Sequence, residues 1–221
     1  MKFLKYSSLI LGLPKSIYLN MKMLPFRQAV KLPIILSKNT KIYSANGHIK
    51  LKSKAKFGSI KIGFGYVGTF DIRKRKSILE LNGNLILGNN INLGHGTKLS
   101  VGDSGLLEIY DDVTITAETS IICFENISIG KGSMISWDNL FMDTDFHKIY
   151  DLESNILNKD KAIEIGENVW IGCRCTILKG ANIKRNSVIS SNSKISQNIQ
   201  KESCIIGNNG VVLKENIRWE K

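Results

Sequence analysis

A six-residue repeat of aliphatic side chains runs through the C-terminal part of this chain. Isoleucine stands at six successive positions of the repeat: Ile165, Ile171, Ile177, Ile183, Ile189 and Ile195. Two positions before each isoleucine lies a further apolar or small residue. A period of six fits neither the alternation of a half-buried strand nor the 3.6-residue period of a helix. It is typical of short strands joined by sharp corners, three to a coil. The repeat therefore predicts an all-β fold, a parallel β-helix shaped as a triangular prism.

The repeat is interrupted once by a long polar segment. The same phase extends upstream, with breaks, from Leu87 to Phe141, and one further step of six reaches His147. Residues 148–162 then lose the period, which resumes at Ile163. Polar segments that leave a regular scaffold are common places for functional residues. We therefore predict an excursion loop over residues 148–162, with His147 immediately before it.

The remaining pattern divides the chain into four segments. Residues 1–45 show mixed helical spacing and predict a basic, helical N-terminal extension. Residues 46–84 contain short apolar runs typical of irregular strands leading into the solenoid. Residues 85–213 carry the repeat and are predicted to form the β-helix, and residues 214–221 a C-terminal tail.

Positive charge is concentrated in the N-terminal third. Residues 1–76 hold 17 of the 31 Lys and Arg residues but one acidic residue, Asp71, so this part carries a charge of +16 while the whole chain carries +12. One interpretation is a solvated basic face. The other is contact with an anionic membrane surface or an anionic glycan intermediate. Nucleic acid is not an expected partner, because the sequence has no recognition motif or aromatic platform.

The cysteines and the hydropathy indicate a cytoplasmic protein. Cys123, Cys173, Cys175 and Cys204 lack the spacing of a zinc site, so we expect reduced thiols and no metal. The apolar stretch of residues 9–13 is far shorter than the roughly 20 residues that span a bilayer. The charge pattern adds the alternative of a peripheral position at the inner face of the cell membrane.

Three features in combination resemble the hexapeptide-repeat acyltransferases. They are the hexads, the segment Phe-Met-Asp-Thr-Asp-Phe-His at residues 141–147, and the segment Ile-Gly-Glu-Asn-Val-Trp-Ile-Gly at residues 165–172. The resemblance covers about residues 78–218 and is greatest to the O-acetyltransferases of capsular and O-antigen polysaccharides. It implies a left-handed β-helix, a homotrimer, and an active site between neighbouring prisms. It also implies transfer of an acetyl group from acetyl-CoA to a sugar hydroxyl.

The resemblance carries over to particular residues. His147 matches the histidine that removes a proton from the acceptor hydroxyl, a role that suits imidazole because it titrates near neutral pH. Trp170 matches a tryptophan that lines the site. Gly172, Ser190 and Ser191 match positions whose backbone faces the pantetheine arm of the coenzyme. We expect direct transfer without an acyl-enzyme intermediate.

Supporting roles are expected for charged residues near these positions. Asp143 and Asp145 share a face with His147 if the segment is extended, so one of them is predicted to accept a hydrogen bond from the imidazole. Asp145, nearer in sequence, is preferred; the alternative is a pair of solvated turn acids. Lys179 lies on an outward position of the last coils and is a candidate contact for coenzyme phosphates.

Two departures from the family pattern concern the coenzyme. Residues 207–211 read Gly-Asn-Asn-Gly-Val where the family often has Gly-Asn-Pro-Ala-Lys, and residues 190–193 are polar where it often has Ala-Gly-Ser. Three alternatives remain: acetyl transfer to serine, an amino sugar or a xenobiotic; a non-catalytic solenoid scaffold; and a γ-class carbonic anhydrase. The last is disfavoured because the histidines, at positions 48, 95 and 147, include no close pair.

Overall fold

The computed structural model describes residues 2–72 and 74–221, with side chains from Ser7 onward. Helix α1 (Lys2–Met23) and the short helix α2 (Phe26–Ala29) precede the strands. A single 3₁₀ turn, Asn208–Gly210, lies near the C-terminal end.

The strands follow one another in coils of three. In chain order they are β1 Ile34–Leu36, β2 Thr40–Ala45 and β3 His48–Leu51; β4 Ile60–Phe64, β5 Ser77–Leu81 and β6 Asn84–Leu87; β7 Ile91–His95, β8 Lys98–Val101 and β9 Leu106–Ile109; β10 Thr114–Ala117, β11 Ser120–Cys123 and β12 Asn126–Ile129; β13 Met134–Ile135, β14 Leu140–Met142 and β15 Ile163–Ile165; β16 Trp170–Ile171, β17 Thr176–Leu178 and β18 Asn182–Ile183; β19 Val188–Ile189, β20 Lys194–Ile195 and β21 Asn198–Ile199; and last β22 Ile205–Ile206 and β23 Val212–Lys214.

Every third strand belongs to the same sheet, so the described strands form the three faces of a prism. Face A begins with β1 and has nine strands, face B begins with β2 and has seven, and face C begins with β3 and has seven. Neighbouring strands are parallel, as in the pairing of Ile171 with Ile189. The exception is the last pair of face A, β22 and β23, which is antiparallel. The predicted left-handed parallel β-helix with a helical N-terminal extension is confirmed.

The repeat residues form the core of the prism. Ile165 pairs with Ile183 in face C, and both side chains are buried. In face B, Phe141 lies between Ile121 and Ile177, and all three are fully buried. Fully burying one such side chain stabilises a fold by about 1.5–3 kcal/mol. Because a single coil cannot bury its own inner face, this energy is gained only by stacking.

Residues with a left-handed backbone turn the chain at the corners. Asn168 (φ 52°) and Asn186 (φ 59°) occupy the same corner of successive coils, and asparagine tolerates this conformation better than most residues. Gly172 is required for a different reason. A Cβ atom there would lie 2.7 Å from the backbone nitrogen of Ser191, so glycine permits the close approach of two coils.

The prism begins earlier than the predicted boundary at residue 85. Residues 46–84, predicted as irregular strands leading into the solenoid, are already part of the prism, because β1, β4 and β7 pair through Ile34, Ile60 and Ile91. Long corners at residues 52–59 and 65–76 separate these strands and shift the six-residue phase. The predicted helical extension, residues 1–45, is correspondingly helical only as far as Ala29. The solenoid thus takes in residues 34–45 of the first predicted segment and most of the second.

Helix α1 covers the open edge of the first coil. The side-chain amide of Asn20 donates to the carbonyl of Ile34 (2.7 Å) and accepts from its N–H (3.2 Å). The N–H of Leu36 donates to the hydroxyl of Ser16 (2.9 Å). Because β1 has no preceding coil, these side chains take the place of a neighbouring strand.

Candidate active site

His147 lies in a loop that leaves the prism at the corner between faces B and C. The chain departs after β14, at residue 143, and returns at Ile163. The loop is therefore somewhat longer than the predicted residues 148–162. It has its own structure, because Tyr150 and Ile156 form an antiparallel bridge. The carboxylate of Asp151 also accepts backbone N–H groups within the loop.

Asp143 anchors the base of this loop and does not contact His147. Its carboxylate is fully buried and accepts the backbone N–H groups of Phe124 (2.8 Å) and Glu125 (3.0 Å) in the preceding coil. Burial raises the pKa of Asp143, and these two hydrogen bonds oppose the rise. The predicted shared face with His147 is wrong. The strand ends at Met142, so the chain is not extended as far as the histidine.

Asp145 belongs to a polar cluster that holds the two ends of the loop together. Its carboxylate accepts from the ammonium of Lys179 (2.5 Å) and from the side-chain amide of Asn158 (2.8 Å). The ammonium of Lys179 also donates to the carbonyl of Asn158 (2.7 Å). These hydrogen bonds lower the pKa of Asp145. We call Asp145, Asn158 and Lys179 the loop clamp.

Two residues of the loop clamp, Asp145 and Lys179, have partners other than those predicted from the sequence. The carboxylate of Asp145 pairs with Lys179 and Asn158, and no hydrogen bond joins it to the imidazole of His147. Lys179 follows β17 on face B, and its ammonium points into the loop, where it is already paired. It is thus not available for coenzyme phosphates in this arrangement. Asn158 was not identified from the sequence, where it is one of several polar loop residues.

The backbone of His147 is held while its side chain is exposed. Its N–H donates to the carbonyl of Asp145 (2.6 Å), and its carbonyl accepts from the amide of Asn158 (2.8 Å). Among the residues whose side chains are described, none forms a hydrogen bond or ion pair with the imidazole. The preceding residue, Phe146, adopts a left-handed backbone (φ 61°) and packs against Phe124 with 5.0 Å between ring centroids. The side chain of His147 is therefore exposed at the surface of the loop.

Trp170 lies on the outer surface of face A, where the C-terminal tail contacts it and leaves it partly exposed. Its indole N–H donates to the hydroxyl of Ser136 (3.2 Å). Its ring lies 6.0 Å from that of Trp219, tilted by 42°. Trp219 is fixed in turn by its own indole N–H, which donates to the carbonyl of Asn168 (2.7 Å). No local pattern predicts this pair, because the two tryptophans are far apart in the chain.

Gly172, Ser190 and Ser191 lie together at the corner between faces A and B. Gly172 contacts Ser191 of the next coil so closely that a Cβ would lie 2.7 Å from the serine hydroxyl. The thiol of Cys173 lies 3.5 Å from the same hydroxyl. The carbonyl of Ser190 accepts from the thiol of Cys175 (3.2 Å). This corner is not the one that carries the His147 loop, so a single protomer does not bring the two groups of predicted residues together.

Two further observations concern the chemistry that this part of the chain supports. Within residues 2–72 and 74–221, no group of three or more His, Cys, Asp or Glu side chains is placed to hold a metal ion. The four cysteines are free thiols, and Cys173 is the most accessible of them. Burial raises the pKa of Cys175, which disfavours its thiolate.

Comparison with known proteins assigns the class. Residues 162–197 match the family model described as bacterial transferase hexapeptide (six repeats). An uncharacterized 24.8 kDa protein in the cps region of Klebsiella pneumoniae is 33% identical over 202 residues, which cover 90% of this chain and 86% of that protein. A polysialic acid O-acetyltransferase of Neisseria meningitidis is 36% identical over 102 residues, 42% of this chain and 47% of the relative.

A solved structure shares the fold. The polySia-specific acetyltransferase NeuO aligns with a TM-score of 0.52 at 20% identity, over 86% of this chain and 79% of that chain. The family match and the relatives named as O-acetyltransferases identify the chain as an acyltransferase. The chain belongs to the family of bacterial hexapeptide-repeat transferases.

Proposed function

We propose that this acyltransferase moves an acetyl group from acetyl-CoA to a hydroxyl group of a cell-surface polysaccharide or its precursor. The observation that carries the proposal is the exposed imidazole of His147 on a loop whose backbone is fixed by the loop clamp. The likeness to a polysialic acid O-acetyltransferase and to a protein of a cps region supports a glycan as the acceptor.

A sugar hydroxyl needs a base because it is a weak nucleophile near neutral pH. The imidazole of His147 takes the hydroxyl proton as the oxygen attacks the thioester carbonyl. An oxygen–carbon bond forms, the carbon–sulfur bond breaks, and the proton passes from the imidazolium to the departing sulfur of coenzyme A. Proton and acyl group are thus both accounted for without a covalent enzyme intermediate.

The loop clamp supplies positioning in this mechanism. Asp145 and Lys179 hold Asn158, which in turn holds the backbone carbonyl of His147. Correct placement of a catalytic group contributes much of the rate, and a displacement of about 1 Å is able to cost about 100-fold. Asp145 and Lys179 are therefore positioning residues in this proposal, and Asp143 secures the coil beneath them.

A homotrimer completes the proposed site. The predicted coenzyme-side residues Trp170, Gly172, Ser190 and Ser191 lie on face A and at its corner with face B, away from the corner of His147. Side-by-side packing of prisms places the His147 loop of one protomer against face A of the next. The acetyl-CoA arm then lies in the groove between them, along the stacked corners.

The test is coenzyme A release in the presence of acetyl-CoA and a panel of acceptors. The panel contains de-O-acetylated capsular glycans, free serine, an amino sugar and chloramphenicol. We expect turnover with a glycan, and a reduction of kcat/KM by about 10²–10⁴-fold in His147→Ala. His48→Ala, which removes another exposed histidine, is the matched control and keeps wild-type activity. Equal release by wild type and His147→Ala would refute the mechanism.

A further inference from the structure

The outer face of helix α1 is apolar. Five large side chains share this face or border it, and each is between 45% and 66% exposed: Ile10, Leu11, Ile17, Tyr18 and Met21. Phe26 and Val30, which follow the helix, are also exposed. Isolated apolar residues are common on protein surfaces, but a contiguous patch indicates an interaction site. We call these seven residues the outer stripe.

The orientation of the helix is fixed by its inner face, where polar and apolar side chains are both buried. Ser16 and Asn20 are fully buried because they pair with the edge of β1. Gly12 lies on the same side, and a Cβ there would come 2.0 Å from the carbonyl oxygen of Leu36. The helix thus cannot rotate to bury the outer stripe without losing these contacts. The helix therefore buries a mixed face, with Leu19 in the core beside Ser16 and Asn20, and leaves an apolar stripe exposed, whereas the exposed side of a surface helix is usually polar.

The surface around the outer stripe is cationic. Residues 1–31 contain six Lys and Arg residues and no acidic residue. Lys22, Arg27 and Lys31 are exposed at the end of α1 and in the segment after it. Lys15 is different, because its ammonium donates to the carbonyls of Lys38 (2.8 Å) and Thr40 (2.7 Å) and holds the helix to the prism.

We propose that α1 docks the enzyme on an anionic phospholipid bilayer. The outer stripe enters the boundary between headgroups and acyl chains, and Lys22, Arg27 and Lys31 lie among the lipid phosphates. A helix that combines an apolar face with flanking cations binds such surfaces in the plane of the membrane. Among the described residues, no helix is both long and apolar enough to cross a membrane.

Charge favours a membrane over a second copy of the chain as the occupant. Packing two outer stripes together would bring Lys22, Arg27 and Lys31 of each copy into one interface. The stretch of residues 1–31 offers no carboxylate to pair with them. Like charges in an interface oppose association, whereas an anionic lipid surface neutralises them. This inference is independent of the acyl transfer proposed above.

The test is co-sedimentation of the full chain with vesicles. We expect binding to phosphatidylethanolamine vesicles that contain phosphatidylglycerol, and none to phosphatidylcholine alone. The double variant Ile17→Ser, Met21→Ser should lower the association constant for these vesicles at least about tenfold. The reason is that two apolar side chains are no longer transferred from water into the bilayer. Lys22→Glu with Lys31→Glu should lower it by roughly fivefold or more for each cation removed. Leu213→Ser, which changes an exposed leucine at the opposite end of the prism, is the control and binds as wild type does.

Three outcomes would overturn the proposal. One is that wild type does not sediment with the anionic vesicles. Another is equal sedimentation of wild type and both double variants. The third is a smaller assembly mass for Ile17→Ser, Met21→Ser by light scattering, with vesicle binding unchanged, since this would assign the outer stripe to a second copy. Circular dichroism and acetyl-CoA turnover on the same preparations show that each variant is folded.

Discussion

Two excursions from the prism each lie beside one histidine, and the two histidines differ in exposure. The loop after β14 presents His147 to solvent and fixes it only through backbone contacts. The excursion after β4, at residues 65–76, packs onto His95, which is buried at the end of β7. Phe70 meets the His95 ring edge to face with centroids 6.0 Å apart. One histidine is therefore exposed, as the proposed catalytic base must be, and the other is buried as part of the packing.

The ion pairs beside the two histidines also differ in burial. Glu118, nearly fully buried, pairs with Lys98 (3.2 Å) and with Arg75 of the excursion (3.7 Å) next to His95. In the His147 loop the corresponding ion pair, Asp145 with Lys179, lies at the surface and leaves the imidazole uncovered. The two sites therefore differ in one respect. The excursion after β4 packs onto His95, whereas the loop after β14 leaves His147 exposed.

The largest expected effect is a separation of activity from stability. His147→Gln should reduce kcat/KM by about 10²–10⁴-fold with no change in Tm, because the ring is exposed and makes no structural contact. His95→Gln should keep its kcat/KM and lower Tm, because the amide does not fill the space beneath Phe70. Kinetics and thermal unfolding on both variants measure the contrast. A lower Tm in His147→Gln would contradict it.

A smaller effect is expected from breaking the loop clamp. Lys179→Met leaves the carboxylate of Asp145 without its cation and should lower kcat by about 10–100-fold, because the His147 backbone is no longer held in place. The KM for acetyl-CoA should change little, since Lys179 is not in contact with the coenzyme in the proposed site. Lys194→Met, a substitution of an exposed lysine one coil further on, serves as the control. A raised KM for acetyl-CoA with unchanged kcat would return Lys179 to the role predicted from the sequence.

Replacing Asp143, which anchors the base of the His147 loop, is expected to lower the stability of the protein. Asp143→Ala leaves the backbone N–H groups of Phe124 and Glu125 without partners and should lower the free energy of unfolding by about 1–3 kcal/mol. Asp143→Asn keeps one acceptor oxygen and should cost less. Denaturant unfolding checks both. An unchanged free energy of unfolding in Asp143→Ala would show that water replaces the carboxylate.

The smallest effect is a pH dependence that arises from His95. Burial lowers the pKa of His95 in the folded protein; Glu118 opposes this change and Arg75 adds to it. The contribution of the neutral ring to stability is therefore complete above about pH 6.5, the value for an unfolded histidine. It is lost as the pH falls from there toward the lowered folded pKa. His95→Phe should make Tm less dependent on pH below this value, and an unaltered dependence would rule His95 out as its source.

The sequence predicts the fold best where each corner has its standard length. Between Ile165 and Ile195 every step of the repeat is six residues, so the strands and their inward residues follow directly. The N-terminal coils were missed because residues 52–59 and 65–76 lengthen two corners. The stacking of Ile34 on Ile60 is a long-range pairing that no local period encodes.

The candidate site is predictable in position but not in its contacts. The loss of phase after Phe141 locates the loop and its histidine. The partner of Asp145 lies 34 residues away at Lys179, and the partner of Trp219 lies 51 residues away at Asn168. Such contacts depend on which coils stack on one another. The assumption that the chain is extended up to residue 147 predicts the wrong neighbours for His147.

The antiparallel pairing of β22 with β23 limits how copies of this protein associate. A stack of parallel strands has two open edges, and an open edge is a template for endless addition of further strands. Helix α1 closes one edge, and the reversed strand β23 interrupts the parallel order at the other. Both features work against end-to-end addition of strands on face A. Contacts between copies are therefore expected on the sides of the prism, where symmetry allows closed and finite assemblies.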